Sequence, residues 1–299
     1  MEARLRIVMA ATWWVVLAVV AVVPALAQSP AHQLRISDSV GQTSRYRLTF
    51  DIRMRAEISG QGEPDARTRQ LLETLASGME MRTAVEYSQR LVAVTPDSLR
   101  VFDVRWHDYQ FTGELGGEEI PPPPGYLESV RDLLSQTARV RTTPSGRTTE
   151  VTYAHAQLSS LTKGLERGGM PTYLPEGPVE IGDSWSSTAE IPLGMSAGAS
   201  LNLELEHTLR EVRAAPEGRV AVIELAGSYS QLQGFEESGL GVPMHMQASL
   251  TGSSLFDIDN GRFVGGRYEI DMFALHAAEG VEIRLTGHAN GDLELVDAR

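Results

Sequence analysis

The stretch YRLTFDIRMRAEI, residues 46–58, decides the fold class of this chain. Apolar and polar residues alternate in it without interruption. Successive side chains of a β-strand point to opposite faces, so the pattern predicts a long strand with one buried face and one solvated face. Antiparallel sheets have that division, whereas the strands of parallel sheets are buried on both faces. The stretch therefore predicts an antiparallel sheet.

Working outward from this strand, the same alternation returns in later segments: residues 79–81, 102–106, 201–205, 256–258, 268–274 and 281–285. Three short sequences between strand-like runs, Pro144-Ser-Gly146, Pro216-Glu-Gly218 and Asp259-Asn-Gly261, supply the residues that tight turns require. Hairpins that follow one another along the chain predict a meander.

Three segments have helical periodicity instead: Pro64–Ala76, Gly125–Gln136 and Ala156–Arg167. A sheet of many strands twists and curls, and its apolar side must be covered by helices, by a second layer or by a ligand. The prediction is thus an α+β, mainly β, fold. It consists of one large curved antiparallel meander sheet, similar to a half-barrel, with about three helices.

The N-terminus predicts export. Arg4 and Arg6 precede an apolar run over residues 7–23, and Pro24-Ala-Leu-Ala27 is a small-x-small site of the kind that signal peptidase cuts. Cleavage between Ala27 and Gln28 predicts a periplasmic or extracellular protein. An uncleaved membrane anchor is the alternative, because the run is long enough to span a bilayer.

Residues 28–299 contain no second apolar run of that length, so no transmembrane segment is predicted in the mature chain. Residues 1–27 are predicted to be a signal peptide and residues 28–299 one β-rich domain. A Pro- and Gly-rich stretch after the third helix leaves a second interpretation open, in which 28–173 and 174–299 form two similar halves.

Composition excludes several classes of function. The chain has no cysteine, which excludes disulfides, thiolate metal sites and a cysteine nucleophile. Its formal net charge is −13, and so acidic a protein repels phosphate backbones, so nucleic acid is not a predicted partner. The histidines never occur at the spacing of a local metal motif, and no nucleotide-binding motif is present. We therefore predict neither a metal nor a cofactor.

The sequence LPEGPVEIGDSW, residues 174–185, resembles a segment of a family of exported bacterial proteins to which no activity is attached. The resemblance extends from about residue 138 to residue 205. It implies export and a β-rich fold, and it implies no reaction. From the residues themselves, Gly182-Asp183 predicts a turn, and Trp185 is either a core anchor for the next strand or a ligand-stacking residue.

One catalytic pattern is present. Gly194-Met-Ser-Ala-Gly198 matches the nucleophile motif of serine hydrolases, and Asp257 or Asp271 followed by His276 or His288 gives the chain order of a triad. However, a nucleophile elbow joins a buried strand to a helix, whereas here an alternating strand follows. We therefore predict that Ser196 is an exposed loop residue and that the protein is not an enzyme.

The leading hypothesis is non-catalytic binding of an apolar ligand, such as a lipid, or of an envelope protein. It rests on the similarity of the predicted fold to periplasmic lipoprotein-carrier half-barrels. The candidate ligand residues are Trp106, Trp185, Met244 and Met246, each of which also suits a protein core. Two alternatives stay open: a structural or assembly factor of the envelope without a small-molecule site, and a serine hydrolase that uses Ser196.

Overall fold

The structure is a computed structural model. It describes residues 30–37, 39–60, 69, 73, 76–121, 126–153, 173–192, 200–216, 218–234, 243–278 and 281–299. The predicted leader and its cleavage site, Ala27 and Gln28, lie outside the described residues. The strands are β1 (Thr43–Gly60), β2 (Met79–Val94), β3 (Arg100–Leu115), β4 (Glu118–Glu119), β5 (Thr137–Thr142), β6 (Thr148–Thr152), β7 (Ser184–Pro192), β8 (Ser200–Ala215), β9 (Gly218–Gly234), β10 (Pro243–Asp257), β11 (Arg262–Ala278) and β12 (Val281–Ala298).

All twelve strands belong to one large antiparallel sheet, in the order β6-β5-β3-β2-β1-β12-β11-β10-β9-β8-β7, with β4 paired to β3 alone. The mainly β, antiparallel class is thus confirmed. The meander prediction holds within β1–β3 and within β7–β12. The two runs meet where the first strand pairs with the last, so β1 and β12 lie in the middle of the sheet and the consecutive strands β6 and β7 form its two edges.

The alternation in residues 46–58 is the cause of the central position of β1. Tyr46, Leu48 and Ala56 are buried, while Arg45 and Arg47 on the opposite face are exposed. Both neighbours of β1 pair with it in register over most of its length: Leu48 faces Val85 of β2 and Leu293 of β12. Cross-strand apolar pairs of this kind stabilise a sheet from one face.

Hydrogen bonds show that the sheet curls at one end. The adjacent amides of Ile36 and Ser37 donate to the carbonyls of Pro144 and Gly261, at 2.8 and 2.9 Å. Pro144 follows β5 and Gly261 precedes β11, and these strands are five positions apart in the sheet order. A flat sheet would separate them by about 24 Å. Two adjacent residues bridge them instead, so the sheet bends until the turns meet.

We call this end the closed rim, defined by residues 30–37, 143–147, 173–185, 207–223 and 255–263. A set of buried apolar residues fills it: Leu34, Leu174, Val179, Leu209, Ala221, Ile223 and Phe256. Asp257, which is fully buried, accepts hydrogen bonds from the amides of Asp259 and Asn260. These bonds shape the β10–β11 turn that receives the N-terminal segment.

One described helix, α1 (Tyr126–Leu134), packs against β3 and contributes the buried Leu133. It lies within the second predicted helix. Residues 69, 73 and 76 are helical within the first, and the third, Ala156–Arg167, lies outside the described residues. The prediction of about three helices is therefore not supported. Periodicity over ten residues indicates an amphipathic face, but short helices depend on packing that a sequence does not display.

Candidate apolar ligand site

The inner face of the sheet, the side that holds Tyr46, Leu48 and Trp106, is apolar over both halves. It contains two adjoining clusters. The aromatic cluster is Tyr46, Leu48, Val85, Tyr87, Val104, Trp106, Leu133, Ala138, Val140, Tyr268 and Leu293. The aliphatic cluster is Leu203, Leu205, Leu225, Tyr229, Met246, Ala248, Leu250, Ile270, Ala274 and Ala289. Tyr268 and Ile270, two residues apart on β11, belong to different clusters, so both clusters lie on the same face.

Rings pack against each other across the strands of the aromatic cluster. Tyr46 stacks on Tyr87 with ring centroids 5.5 Å apart, and Trp106 stacks on Tyr153 at 6.4 Å. Burial raises the pKa of Tyr46, Tyr87 and Tyr268 above the usual value of a phenol. These hydroxyls therefore stay protonated at any physiological pH, and they add no charge to the inner face.

Of the described elements, one packs over the aromatic cluster and none packs over the aliphatic cluster. Helix α1 packs against β3 and places Leu133 in the aromatic cluster. No described helix or strand makes a comparable contact over the aliphatic cluster, whose members all lie on β8–β12. Three of those members, Ala248, Ala274 and Ala289, are small. The members of the aliphatic cluster are at most 9% exposed. An apolar layer that includes small side chains is a suitable wall for an acyl chain.

The predicted ligand residues lie in different places. Trp106 is 1% exposed in the aromatic cluster and Met246 is 5% exposed in the aliphatic cluster, so both belong to the inner face. The side chain of Met244 lies outside the described residues. Trp185 lies at the closed rim, where it is half-buried and its indole N–H donates to the carbonyl of Tyr173 at 2.7 Å. The structure thus separates the two tryptophans.

A polar pair, His207 and Ser187, lies beside Trp185 and was not predicted from the sequence. The ring of His207 stacks on the indole at 5.6 Å, and its Nε2 lies 2.7 Å from the hydroxyl of Ser187. His207 is fully buried, and its Nδ1 has no hydrogen-bond partner in the described part of the chain. Desolvation lowers its pKa from 6.5 to about 4. The ring is therefore neutral at pH 7. Only the pairing of β7 with β8 brings these residues together.

The triad suggested by the sequence is not assembled among the described residues. Ser196 and the side chain of His276 lie outside them. The carboxylate of Asp257 accepts hydrogen bonds from its own turn. The carboxylate of Asp271 lies 2.8 Å from Nδ1 of His288, on the exposed face. Within the described part of the chain, no group of three or more potential metal ligands is found, and no described helix is long and apolar enough to cross a membrane.

An open cleft of about 600 Å³ lies at the end of β1 and β12 remote from the closed rim. Its lining mixes charged residues, such as Arg55 and Glu282, with Ala56 and Ile58. Ala56 also packs in a small apolar cluster with Met79 and Ile283. The cleft therefore borders the apolar side of the sheet at the end that the N-terminal segment does not close.

No protein-family model and no curated protein matches the chain. Among solved structures, one described as "lipid-protein interactions in lipovitellin" is similar, with a TM-score of 0.51 and 11% sequence identity. The match covers 88% of this chain and 26% of the lipovitellin chain. The chain therefore spans about a quarter of the length of that neighbour. At this identity the similarity concerns the fold alone: a large β-sheet of a lipid-binding protein.

Proposed function

We propose that this protein binds an apolar ligand, such as an acyl lipid, on the inner face of its sheet, without catalysing a reaction. The observation that carries the proposal is the apolar layer that the aromatic and aliphatic clusters form on one face of one curled sheet: its members are at most 9% exposed, and among the described elements none packs over the aliphatic half. A sheet must cover such a surface, and a ligand is one of the few means of doing so. The half-barrel form predicted from the sequence belongs to this proposal, because its hollow side is where a ligand would lie.

The fold neighbour supports this function indirectly. That solved structure is described by lipid–protein interactions in lipovitellin, and the match covers 88% of this chain. The transfer from that protein to this one is our proposal, since similarity at 11% identity concerns the fold alone.

We further propose that the protein is exported and acts in the periplasm or outside the cell, on the basis of residues 1–27. N-terminal sequencing of protein isolated from its own cells tests this. We expect the chain to begin at Gln28. Intact Met1 in the membrane fraction would indicate an anchored protein instead.

The binding proposal is tested with acyl lipids brominated on the chain, because bromine quenches a tryptophan only when the two are close. After removal of residues 1–27, the chain keeps two tryptophans, Trp106 and Trp185. In the exported protein, Trp185→Phe leaves the inner-face indole as the sole emitter, and Trp106→Phe leaves the rim indole. Both variants are titrated with the brominated lipid and with its unbrominated parent.

We expect the brominated lipid to quench the Trp185→Phe variant strongly and the Trp106→Phe variant weakly, with no quenching by the parent lipid. Native mass spectrometry of the protein from its own envelope provides the second readout, a co-purifying lipid. If neither quenching nor a retained lipid is seen, the ligand-binding proposal is wrong and the structural or assembly role is favoured.

A further inference from the structure

We infer that the inner face holds a binding site for an uncharged hydroxyl group, formed by the indole N–H of Trp106 and the side-chain carbonyl of Gln136. The inference deepens the proposed function, on which it rests, by naming the class of ligand: an apolar chain with a neutral, hydroxyl-bearing head.

Both polar atoms belong to buried side chains. Trp106 is 1% exposed and Gln136 is 9% exposed. Among the residues that the structure describes, neither Nε1 of Trp106 nor Oε1 of Gln136 has a hydrogen-bond partner. Folded proteins leave few buried donors or acceptors unpaired, since each costs free energy of folding. Two such atoms of opposite type in one cluster point to a group that is bound there.

Their relative placement follows from the pairing of β3 with β5. On β3 and β5, Val104 faces Ala138 and Arg105 faces Thr137. Gln136 lies between α1 and β5, where its amide donates to the carbonyl of Leu133 at 3.1 Å. Extending the β3–β5 register by one residue places it beside Trp106. Directly opposed residues on one face have their β-carbons about 5 Å apart. One small group can therefore contact both side chains, accepting from the indole and donating to the amide carbonyl. A hydroxyl has that combination of donor and acceptor, whereas an ether, ester or ketone oxygen only accepts.

The side chains around Trp106 determine which head group can bind there. The indole stacks on Tyr153 and faces Tyr87 across the sheet, so its surroundings are aromatic. The neighbouring Arg105 and Arg139 are exposed on the opposite face. Arg100 is buried, but it lies six residues along β3, about 20 Å away, and donates to the carbonyl of Ser98. Arg262, whose charge acts on Tyr46, is half-buried and lies 3.8 Å from the carboxylate of Asp257. Both inward arginines thus already have a partner, which disfavours a carboxylate or phosphate head at Trp106.

The test compares three ligands with the same saturated chain: a long-chain alcohol, its methyl ether and the corresponding carboxylic acid. Each competes with the brominated lipid for the exported protein. We expect the alcohol to bind about tenfold more tightly than the ether, because a site built to pair a hydroxyl rejects the analogue that lacks it. The acid, ionised at pH 7, should bind more weakly than the alcohol.

Gln136→Leu should abolish the preference for the alcohol while the affinity for the ether changes little, because only the hydroxyl donates to the amide carbonyl. Trp106→Phe should weaken the alcohol and the ether alike, because both accept from the indole N–H; its binding is read by native mass spectrometry, since this variant lacks the inner-face emitter. Gln110→Leu is the matched control, because Gln110 is an exposed glutamine of β3 that bonds to Asp108. It should keep the preference. If Trp106→Phe does not fold, Gln136→Leu carries the test alone.

Thermal unfolding without ligand separates this site from a buried water molecule that bridges the same atoms. Gln136→Leu should leave the melting temperature unchanged or raise it, since it removes an unpaired acceptor. A lower melting temperature together with equal binding of alcohol and ether would identify a structural water and overturn the inference. Equal binding of the three ligands would overturn it too, and leave the proposed function standing. Failure of every ligand to bind would overturn both.

Discussion

The closed rim and the aromatic cluster each contain one tryptophan, and the two indole N–H groups differ in their hydrogen bonding. At the rim, Trp185 is half-buried and its indole N–H is paired with the carbonyl of Tyr173. In the aromatic cluster, Trp106 is almost wholly buried, and its N–H finds no acceptor among the described residues. Trp185, which water can reach, has an internal hydrogen bond. Trp106, which water cannot reach, has no such bond to a described residue.

The difference indicates that the two regions serve different purposes. The rim connects distant parts of the chain through backbone hydrogen bonds and a satisfied turn, which is how a fold is stabilised. The aromatic cluster combines large rings with polar atoms left unpaired, which weakens a core but suits a site that a ligand completes.

Gly261→Ala should have the largest effect on stability. Gly261 has φ of +62°, and a Cβ added there would lie 2.5 Å from the amide nitrogen of Ser37. We expect a loss of about 4 kcal/mol, from backbone strain and from undocking of the N-terminal segment. Gly41→Ala is the control, because Gly41 also has positive φ, +97°, with nothing within 4 Å of the added Cβ. Denaturant unfolding should show a loss of about 1–2 kcal/mol for the control. Equal losses would mean that the segment does not depend on this contact.

Acid should destabilise the protein through His207. Its pKa is lowered from 6.5 to about 4 in the folded state, so this contribution to stability is complete above about pH 6.5. It is lost as the pH falls from 6.5 towards 4, because the unfolded chain takes up the proton first. The loss is about 3 kcal/mol. His207→Phe should remove this part of the pH dependence.

Unfolding free energies of wild type and variant, measured between pH 7 and pH 4, check this. A slope that persists in His207→Phe would assign the acid sensitivity to other groups.

Trp185→Ala should cost about 2 kcal/mol, less than the 3–5 kcal/mol typical of a fully buried tryptophan. The indole contributes a stack on His207 and one hydrogen bond, but it is half-buried. Thermal unfolding measures the loss. Should stability stay unchanged while lipid binding disappears, Trp185 would be a ligand residue and the contrast between the tryptophans would fail.

No effect at all is expected from a fluorophosphonate probe. Ser187 is hydrogen-bonded to His207, but the other ring nitrogen has no carboxylate partner to orient the ring. Ser196 lies in a sequence of small residues without a following helix, so the prediction of a non-catalytic loop stands for it. Labelling detected by mass spectrometry that vanishes in Ser187→Ala or Ser196→Ala would show an activated serine and overturn the non-enzyme proposal.

The sequence by itself determined the local properties of the chain. Alternation in residues 46–58 predicted β1 and its buried side, and Asp259-Asn-Gly261 predicted the β10–β11 turn. These predictions succeed because they depend on neighbours in the sequence: strand geometry has a period of two, and a tight turn needs residues that tolerate positive φ. Trp106 and Met246 were named as ligand candidates on residue type, which does not distinguish a core from a site.

Only the tertiary structure decided which strands meet. The pairing of β1 with β12, the bridge from Ile36 and Ser37 to Pro144 and Gly261, and the pairing of Val104 with Ala138 cannot be predicted from local periodicity. Such contacts join residues far apart in the chain, and many strand orders bury the same apolar faces. The choice among them is made by packing and by the pairing of buried polar groups over the whole molecule. The unpaired indole of Trp106 becomes informative only when that packing is known.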